Sequence, residues 1–396
     1  MRLALVAVLA LTAACTQRET VDFNTSPVQG AVLRPVLVAT TRGPDPNQPV
    51  PGWERDATER FGRFVVAIPP EREVGTIPRP RSRQAADPQR DFTLAEAQMI
   101  EGTAFTAELR AALAQEPAAS REAVVFVHGF NTAFIEGVYR TAQLDYDLNL
   151  PGVMLHYSWP SLGAPLAYAH DRDSALFARD GLVEMLHRVR AAGPRSTILI
   201  AHSMGAHLTM EVLRQMAITH DPAMAHLGGV ILLSPDVDVE LFRQQVQAIG
   251  SLPQPFVIVT SRRDRILTLS ASLTGERARL GNLPDAEPLA GLGVTMIDVS
   301  EFTEGVGHFT VGTSPALIGM LDQMNAIDIA LGTENAGSVP LLPATILTLQ
   351  NTTEIILTPL TEASGESRGR EAVLPWWLRR IFSGGTDLAQ ADENPL

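Results

Sequence analysis

The sequence predicts an α/β fold, a mostly parallel central sheet with helices on both faces. Two observations carry this. From Ala123 to Val299, short runs of Val, Ile and Leu alternate with amphipathic stretches of helical period, the pattern of a sheet buried on both sides. One of these runs, Ile198 to Ala201, stops at His202-Ser203-Met204-Gly205 and passes into a helical pattern of Ala206, Leu208, Met210, Val212, Leu213 and Met216. A buried strand, a tight turn carrying a serine and a following helix make the setting of a nucleophile elbow. The turn reads G-x-S-x-G with Ala201 in the first glycine position. A side chain as small as alanine still lets strand and helix approach closely there.

Taken in order, the chain starts with an address. Arg2, the apolar run Leu3 to Leu11 and the small Thr12-Ala13-Ala14 read as a signal peptide over residues 1–15, ending at Cys15. The segment resembles a lipobox, with Thr12 where leucine is usual, and the resemblance implies a lipidated Cys15. The alternative is a secreted protein whose signal happens to hold a cysteine. Cys15 is the sole cysteine, so an internal disulfide is ruled out and the fold rests on packing. Residues 16–34 are polar and aperiodic, as suits a tether.

Val36 to Ala39 reads as a first strand and Phe64 to Ile68 as a second. The Arg- and Pro-rich stretch 71–91, with Arg79, Arg81 and Arg83, reads as a surface loop. Thr93 to Leu113 has helical spacing, broken near Gly102. Ala123–Val127 is a strand, Thr132–Leu148 a helix, Val153–Tyr157 a strand and Asp173–Ala191 a helix. After the elbow come a strand at Gly229–Leu233, a helix at Val239–Ile249 and strands at Phe256–Val259 and Val294–Val299. Ser314–Asn325 reads as a closing helix. The main domain is thus expected over 35–331, followed by an extension over 332–396 in which Leu347–Leu349 and Ile355–Leu357 offer further strands. Pro375 to Phe382 sets two tryptophans beside two arginines, suited to a membrane interface or to packing on the domain.

Composition narrows the function. The 396 residues are 45% hydrophobic and 19% charged, enough for one large core or two smaller ones. A net charge of −13 with no basic block argues against nucleic acid as a partner. After the N-terminus, the sequence holds no run of membrane-spanning length. No zinc-type ligand spacing or glycine-rich phosphate loop appears, so no cofactor or metal is implied.

Acyl transfer by a serine needs a base, a carboxylate to orient that base, and amides to hold the oxyanion. Of nine histidines, His308 follows the last predicted strand in a glycine-rich loop and is the candidate base for Ser203. Asp264 follows the strand Phe256–Val259 and is the preferred acid; Asp236 and Asp238, after the preceding strand, are alternatives. The order serine, acid, histidine is that of an α/β-hydrolase. The oxyanion hole is expected from the amides of Met204, at a helix N-terminus, and Phe130, in the loop after Val127. His128 belongs to that same loop. His128 and Trp159 are candidate pocket residues, Trp159 equally a packing residue. His207 lies one helical turn beyond the serine as a supporting residue. Asp171, Arg172 and Asp173 fall at a helix start, where carboxylates favour the dipole.

These segments together resemble a set of bacterial α/β-hydrolases defined only as a domain of unknown function. The resemblance is carried by Val127-His128-Gly129-Phe130-Asn131, Ser158-Trp159-Pro160-Ser161, Tyr168 with Asp171-Arg172-Asp173-Ser174-Ala175, and His202-Ser203-Met204-Gly205. Val38-Ala39-Thr40-Thr41-Arg42 and Gly307-His308 agree as well, so it covers roughly residues 35–325. It implies the α/β-hydrolase fold and a triad of Ser203, Asp264 and His308, and no particular substrate. The expected function is a serine hydrolase of carboxylesterase or lipase type. It would act on a small-molecule or lipid ester at the bacterial cell envelope and be held there by an N-terminal lipid anchor. The alternatives are a non-catalytic envelope lipoprotein using the fold as a scaffold, or an acyltransferase or peptidase on the same fold.

Overall fold

The computed structural model describes residues 21–319, except 25, 27, 81–83, 276–277 and 304, together with 344–349 and 352–357. The expectations at Cys15, Arg81, Arg83 and Pro375 to Phe382 lie outside the described residues.

Eleven strands form one sheet in the order β10-β11-β9-β8-β7-β6-β4-β5-β1-β2-β3. Strands β4 (Glu122–Val127), β5 (Val153–Ser158), β6 (Ser196–His202), β7 (Leu227–Leu233), β8 (Phe256–Thr260) and β9 (Thr295–Asp298) are its parallel centre. β1 (Val32–Pro44) continues the parallel set beside β5, then turns back into antiparallel β2 (Pro51–Ile68) and β3 (Thr93–Ile100). At the far edge β11 (Thr352–Leu357) lies parallel to β9, with β10 (Ala344–Leu349) antiparallel outside it. The two tail strands anticipated from the sequence therefore extend this same sheet.

Both faces are covered, which explains the unbroken apolar runs. Along β4, Val125 and Val127 pack into one core, while Val124 and Phe126 pack into the other. The first core takes the helices α1 (Gly102–Gln115), α4 (Arg179–Ala192), α5 (Met204–Ile218) and α6 (Val239–Ile249). The opposite face takes α2 (Phe134–Leu148) and the turn of helix at 315–319. Two further helices, α3 (Tyr168–Phe177) and α7 (Arg265–Thr274), flank the carboxyl ends of the strands, and a single turn, α8 (Thr310–Thr313), follows His308.

Four sequence expectations need correction. Of the expected tether 16–34, the part from Asp22 already joins the sheet: Phe23 bridges Leu94, and β1 pairs with β2 from Val32. Thr93–Ile100 is strand β3, and the helix starts only at Gly102. The cause is a register shift against β2, where Val65 pairs with Glu96 but Val66 with Leu94, leaving Ala95 as an extra residue. A bulge of this kind returns residues three apart to one face. Leu94 and Ala97 thus both meet the core under α2 and imitate helical spacing. The predicted helix Asp173–Ala191 is two helices, α3 and α4, which meet at Ala178. There the buried Tyr157 hydroxyl donates to the Ala178 carbonyl at 2.6 Å. The stretch 71–91 is not wholly a surface loop. Arg72 forms a buried ion pair with Asp147 on α2, the Gly75 amide donates to Asp147 at 2.9 Å, and Arg79 pairs with Glu136. Of the expected Ser314–Asn325 helix, 315–319 is helical and the rest from 320 lies outside the described residues.

The chain leaves β4 through α2 for β5 on one side of it, and returns through α3 and α4 to β6 on the other. This reversal opens a crevice at the carboxyl ends of β4 and β6, where open α/β sheets bind ligands. Val127 and Ala201 are partners across the two strands, so the turns that follow each emerge side by side.

Candidate active site

Ser203 sits between β6 and α5 with φ 52° and ψ −120°. A serine with positive φ is strained, and it persists only where surroundings over-determine it. Here its amide donates to the Leu233 carbonyl at 3.0 Å, and its carbonyl accepts from the Asp236 amide at 3.1 Å. Gly205 allows α5 to start against β4: a Cβ there would lie 2.3 Å from the His128 oxygen and 2.6 Å from that of Val127. Gly129 serves the same approach from the other side, since its Cβ would meet His202 Nδ1 at 2.6 Å and Ser203 Cβ at 2.9 Å.

The Ser203 hydroxyl donates to His308 Nε2 at 2.8 Å, and His308 Nδ1 donates to Asp264 Oδ2 at 2.8 Å. A carboxylate only accepts, so Asp264 fixes the proton on Nδ1 and leaves Nε2 free to accept. Asp264 is fully buried, and its second oxygen accepts the Leu267 amide at 2.9 Å, capping α7. The acid is thereby locked by a helix on one side and aims at the imidazole on the other. The Met204 amide opens α5, and the Phe130 amide stands in the loop after β4. Among the described residues neither has an acceptor. Two free amides beside a serine hydroxyl and a helix N-terminus are suited to a developing oxyanion.

Two buried charges hold the turns around this serine. Arg42, at the end of β1, donates from Nε to Ser158 Oγ at 2.9 Å. Its remaining nitrogens reach the carbonyls of Ser161 at 2.9 Å, Thr132 at 2.8 Å and Gly52 at 3.1 Å. Asp171 accepts from Ser161 Oγ at 2.6 Å, the Leu162 amide at 2.8 Å and the Asn131 amide at 3.3 Å. Arg42 and Asp171 so tie the loop bearing Phe130 to the Ser158–Ser161 turn.

Residues 101–324 match the family described as alpha/beta hydrolase of unknown function (DUF900). The chain belongs to this family. No curated protein matches the sequence. Among solved structures, the chain is similar to Aspergillus fumigatus lipase B at 16% identity over 55% of this chain and 56% of that one, with a TM-score of 0.34. It thus spans little more than half the length of that lipase. It is also similar to a Pyrobaculum calidifontis esterase at 12% identity over 77% of this chain and 87% of that one, with a TM-score of 0.33. At such scores the likenesses carry no functional weight. The α/β-hydrolase fold rests on the family match and on the sheet order.

The family's other sequence-marked residues fall into place around the serine. Neither alternative acid reaches His308. Asp238 caps α6 through the Leu241 amide at 2.7 Å. Asp236 accepts from Tyr168 at 2.9 Å and Ser270 at 2.7 Å. It also lies 3.1 Å from Arg279 Nε, at an angle that makes an ion pair rather than a hydrogen bond. Trp159 is fully buried, stacks on His128 at 4.8 Å and donates to the His128 carbonyl at 2.7 Å. Of its two readings, packing is correct. His128 borders a cavity beside the serine. Phe130 packs edge-on against Tyr168 at 5.5 Å. Sequence reasoning missed the positioning roles of Arg42 and Asp171; their signal was a charged residue inside each of two motifs already singled out. Among the described residues, no group of three His, Cys, Asp or Glu side chains is placed to hold a metal.

Arg42 offers a test of this scaffold. Arg42→Met removes the donors of four buried or half-buried acceptors and is expected to lower unfolding stability by about 3–5 kcal/mol. Urea denaturation measures it; a midpoint equal to wild type would refute the stapling role.

Burial, the largest cause in each case, holds four histidines below their ordinary pKa: His128 and His202 well below, His156 at about 3, and His207 in the same direction. These imidazoles stay neutral in the fold but take up protons when unfolded. Stability is therefore full above the ordinary imidazole pKa and is lost as pH falls below it, by up to about 1.4 kcal/mol per pH unit for each group. Glu59, pushed up to about 9 by burial, and Asp145, pushed up to about 6, act in the opposite sense but are fewer. The urea midpoint is thus expected to fall between about pH 7 and pH 5.5. A flat or rising midpoint would contradict burial of these rings as neutral groups.

Proposed function

We propose that the chain is a serine hydrolase that cleaves ester bonds through an acyl-enzyme. The observation that carries the reading is the series Asp264–His308–Ser203, with both hydrogen bonds at 2.8 Å. In this reading Ser203 Oγ attacks the ester carbonyl as His308 Nε2 takes its proton. Asp264 stabilises the imidazolium, and the amides of Met204 and Phe130 receive the oxyanion. Collapse of the tetrahedral intermediate breaks the bond to the alcohol oxygen, which takes the proton from His308. Water then enters the alcohol's place, gives a proton to His308 and releases the acid.

Labelling with a fluorophosphonate, followed by an ester panel of varied acyl length, tests the proposal. Wild type is expected to label at Ser203 and to turn over at least one ester. Intact protein that neither labels nor hydrolyses would return the chain to a binding scaffold.

The site of action belongs to the same proposal. The lipobox-like segment ending at Cys15 supports a lipid anchor on the mature N-terminus, holding the enzyme at the bacterial envelope against small-molecule or lipid esters. Among the described residues no helix is long and apolar enough to cross a membrane. Mass measurement of the mature N-terminus decides the anchoring: a diacylglyceryl addition on Cys15 is expected, and an unmodified terminus would exclude it.

A further inference from the structure

Beside the elbow, on the α2 face of the sheet, lies a cavity of about 260 Å³. Another hollow, about 610 Å³ beside His187 and Asp221, borders the loops that lead into the amino ends of β6 and β7 and is remote from the serine. The smaller cavity touches the site directly. Gly129 and His202, the neighbours of Phe130 and Ser203 in the chain, form its wall. Phe309, which follows His308, closes another side and meets the His202 ring edge-on at 4.3 Å. The strap at Ile77 and Arg79 also borders it.

Its charge is the informative feature. Arg79 and Glu136 pair with each other, and the second Glu136 oxygen accepts the Ala133 amide at 2.9 Å. His128 and His202 are kept neutral by burial. Arg140 remains. Its guanidinium lies over the Phe309 ring at 4.9 Å. NH1 donates to the side-chain oxygen of Gln143 at 2.7 Å and to the Gly312 carbonyl at 3.2 Å. Both acceptors are neutral, and among the described residues no carboxylate is in ion-pair contact with Arg140. Burial lowers its pKa to about 10, against the opposing pull of Asp147 and Glu136, so it remains charged at neutral pH. A half-buried guanidinium is costly to desolvate without an anion.

We propose that this cavity is the substrate subsite for a short arm ending in a carboxylate, with Arg140 as its anchor, so that the ester cleaved at Ser203 is an anionic one. The proposal rests on the hydrolase reading of Ser203. Liquid water occupies about 30 Å³ a molecule, so the volume suits a short arm rather than a long acyl chain. One unmatched positive charge suits a monoanion, and the nearby Glu136 disfavours a dianion such as a phosphate monoester. A planar guanidinium also pairs well with a carboxylate.

The test compares kcat/KM of the full chain on matched probes. One pair carries the charge on the acyl half, 4-nitrophenyl hydrogen glutarate against 4-nitrophenyl pentanoate. The other carries it on the alcohol half, 3-carboxypropyl butyrate against pentyl butyrate. At least one pair is expected to favour the charged ester by about tenfold or more, the scale of a charge-assisted hydrogen bond. Arg140→Gln is expected to abolish that preference, and Arg140→Lys to keep part of it. Pentanoate, a monoanion, is expected to inhibit wild type competitively where the isosteric pentanamide does not, which needs no variant. Equal rates within both pairs, or a preference that survives Arg140→Gln, would overturn the subsite. If no ester turns over and Ser203 does not label, the hydrolase reading fails by itself. Calorimetric titration with pentanoate then judges the subsite alone: binding that Arg140→Gln removes supports it, and no binding to wild type overturns it.

Discussion

Replacing Ser203 with alanine is expected to lower kcat for ester cleavage by about 10⁶-fold and to abolish fluorophosphonate labelling, with the fold retained. In the proposed mechanism this hydroxyl is the group that forms the acyl-enzyme. Without it His308 Nε2 loses its partner, and residual turnover depends on water and the oxyanion amides. Alanine keeps the Cβ that rests near Gly129, so packing at the elbow changes little. The backbone provides a second readout. With φ at 52° the serine stores strain of about 1–3 kcal/mol, which glycine would relieve. Ser203→Gly is therefore expected to be equally inactive yet more stable than Ser203→Ala by about 1 kcal/mol or more in urea denaturation. Turnover surviving in Ser203→Ala would remove the serine from the mechanism. Equal stability of the two variants would remove the strain.

Much of this site was legible because its parts are local. The elbow is a strand, four turn residues and a helix in one continuous stretch, and buried strands announce themselves as runs of Val, Ile and Leu. The places of Ser203 and His308 followed from strand order, which left the acid between the ends of two strands. What escaped depended on pairing. Leu94 and Ala97 imitate a helix because a bulge at Ala95 puts them on one face of β3, and only the register against β2 reveals it. The join between α3 and α4 lies at Ala178, where the hydroxyl of Tyr157, 21 residues earlier, adds a second donor to the carbonyl. Arg42 reaches 116 residues forward to Ser158. Asp171 stands in a helix's first turn, as the sequence implied, but its oxygens hold the turn at Ser161 and the loop at Asn131. A charge in a motif showed that something held these segments, without showing what.

The acid is where sequence left a real choice, and the two candidates are expected to fail differently. Asp264→Asn should keep the fold, because an asparagine oxygen still accepts the Leu267 amide that caps α7. Toward His308 it presents either an amide N–H or a neutral oxygen. The N–H favours the tautomer with its proton on Nε2, where Ser203 can no longer be deprotonated. The oxygen leaves the imidazolium without a counter-charge. A fall in kcat of about 10⁴-fold is expected, with little change in unfolding stability. Asp236→Asn should do the reverse. Asp236 does not touch His308; it holds Arg279, which is 2% exposed, and receives the hydroxyls of Tyr168 and Ser270. Removing its charge takes this carboxylate from a buried guanidinium and weakens the acceptors of the Tyr168 and Ser270 hydroxyls, at an expected cost of about 1–3 kcal/mol in stability. Its amide also donates to the Ser203 carbonyl, but that bond is a backbone one and survives the substitution. The folded fraction of Asp236→Asn should accordingly label with fluorophosphonate at close to the wild-type rate. Steady-state kinetics and urea melts on both variants separate the roles. If Asp236→Asn lost activity while staying stable, and Asp264→Asn kept it, the acid would have to be moved from the end of β8 to the end of β7.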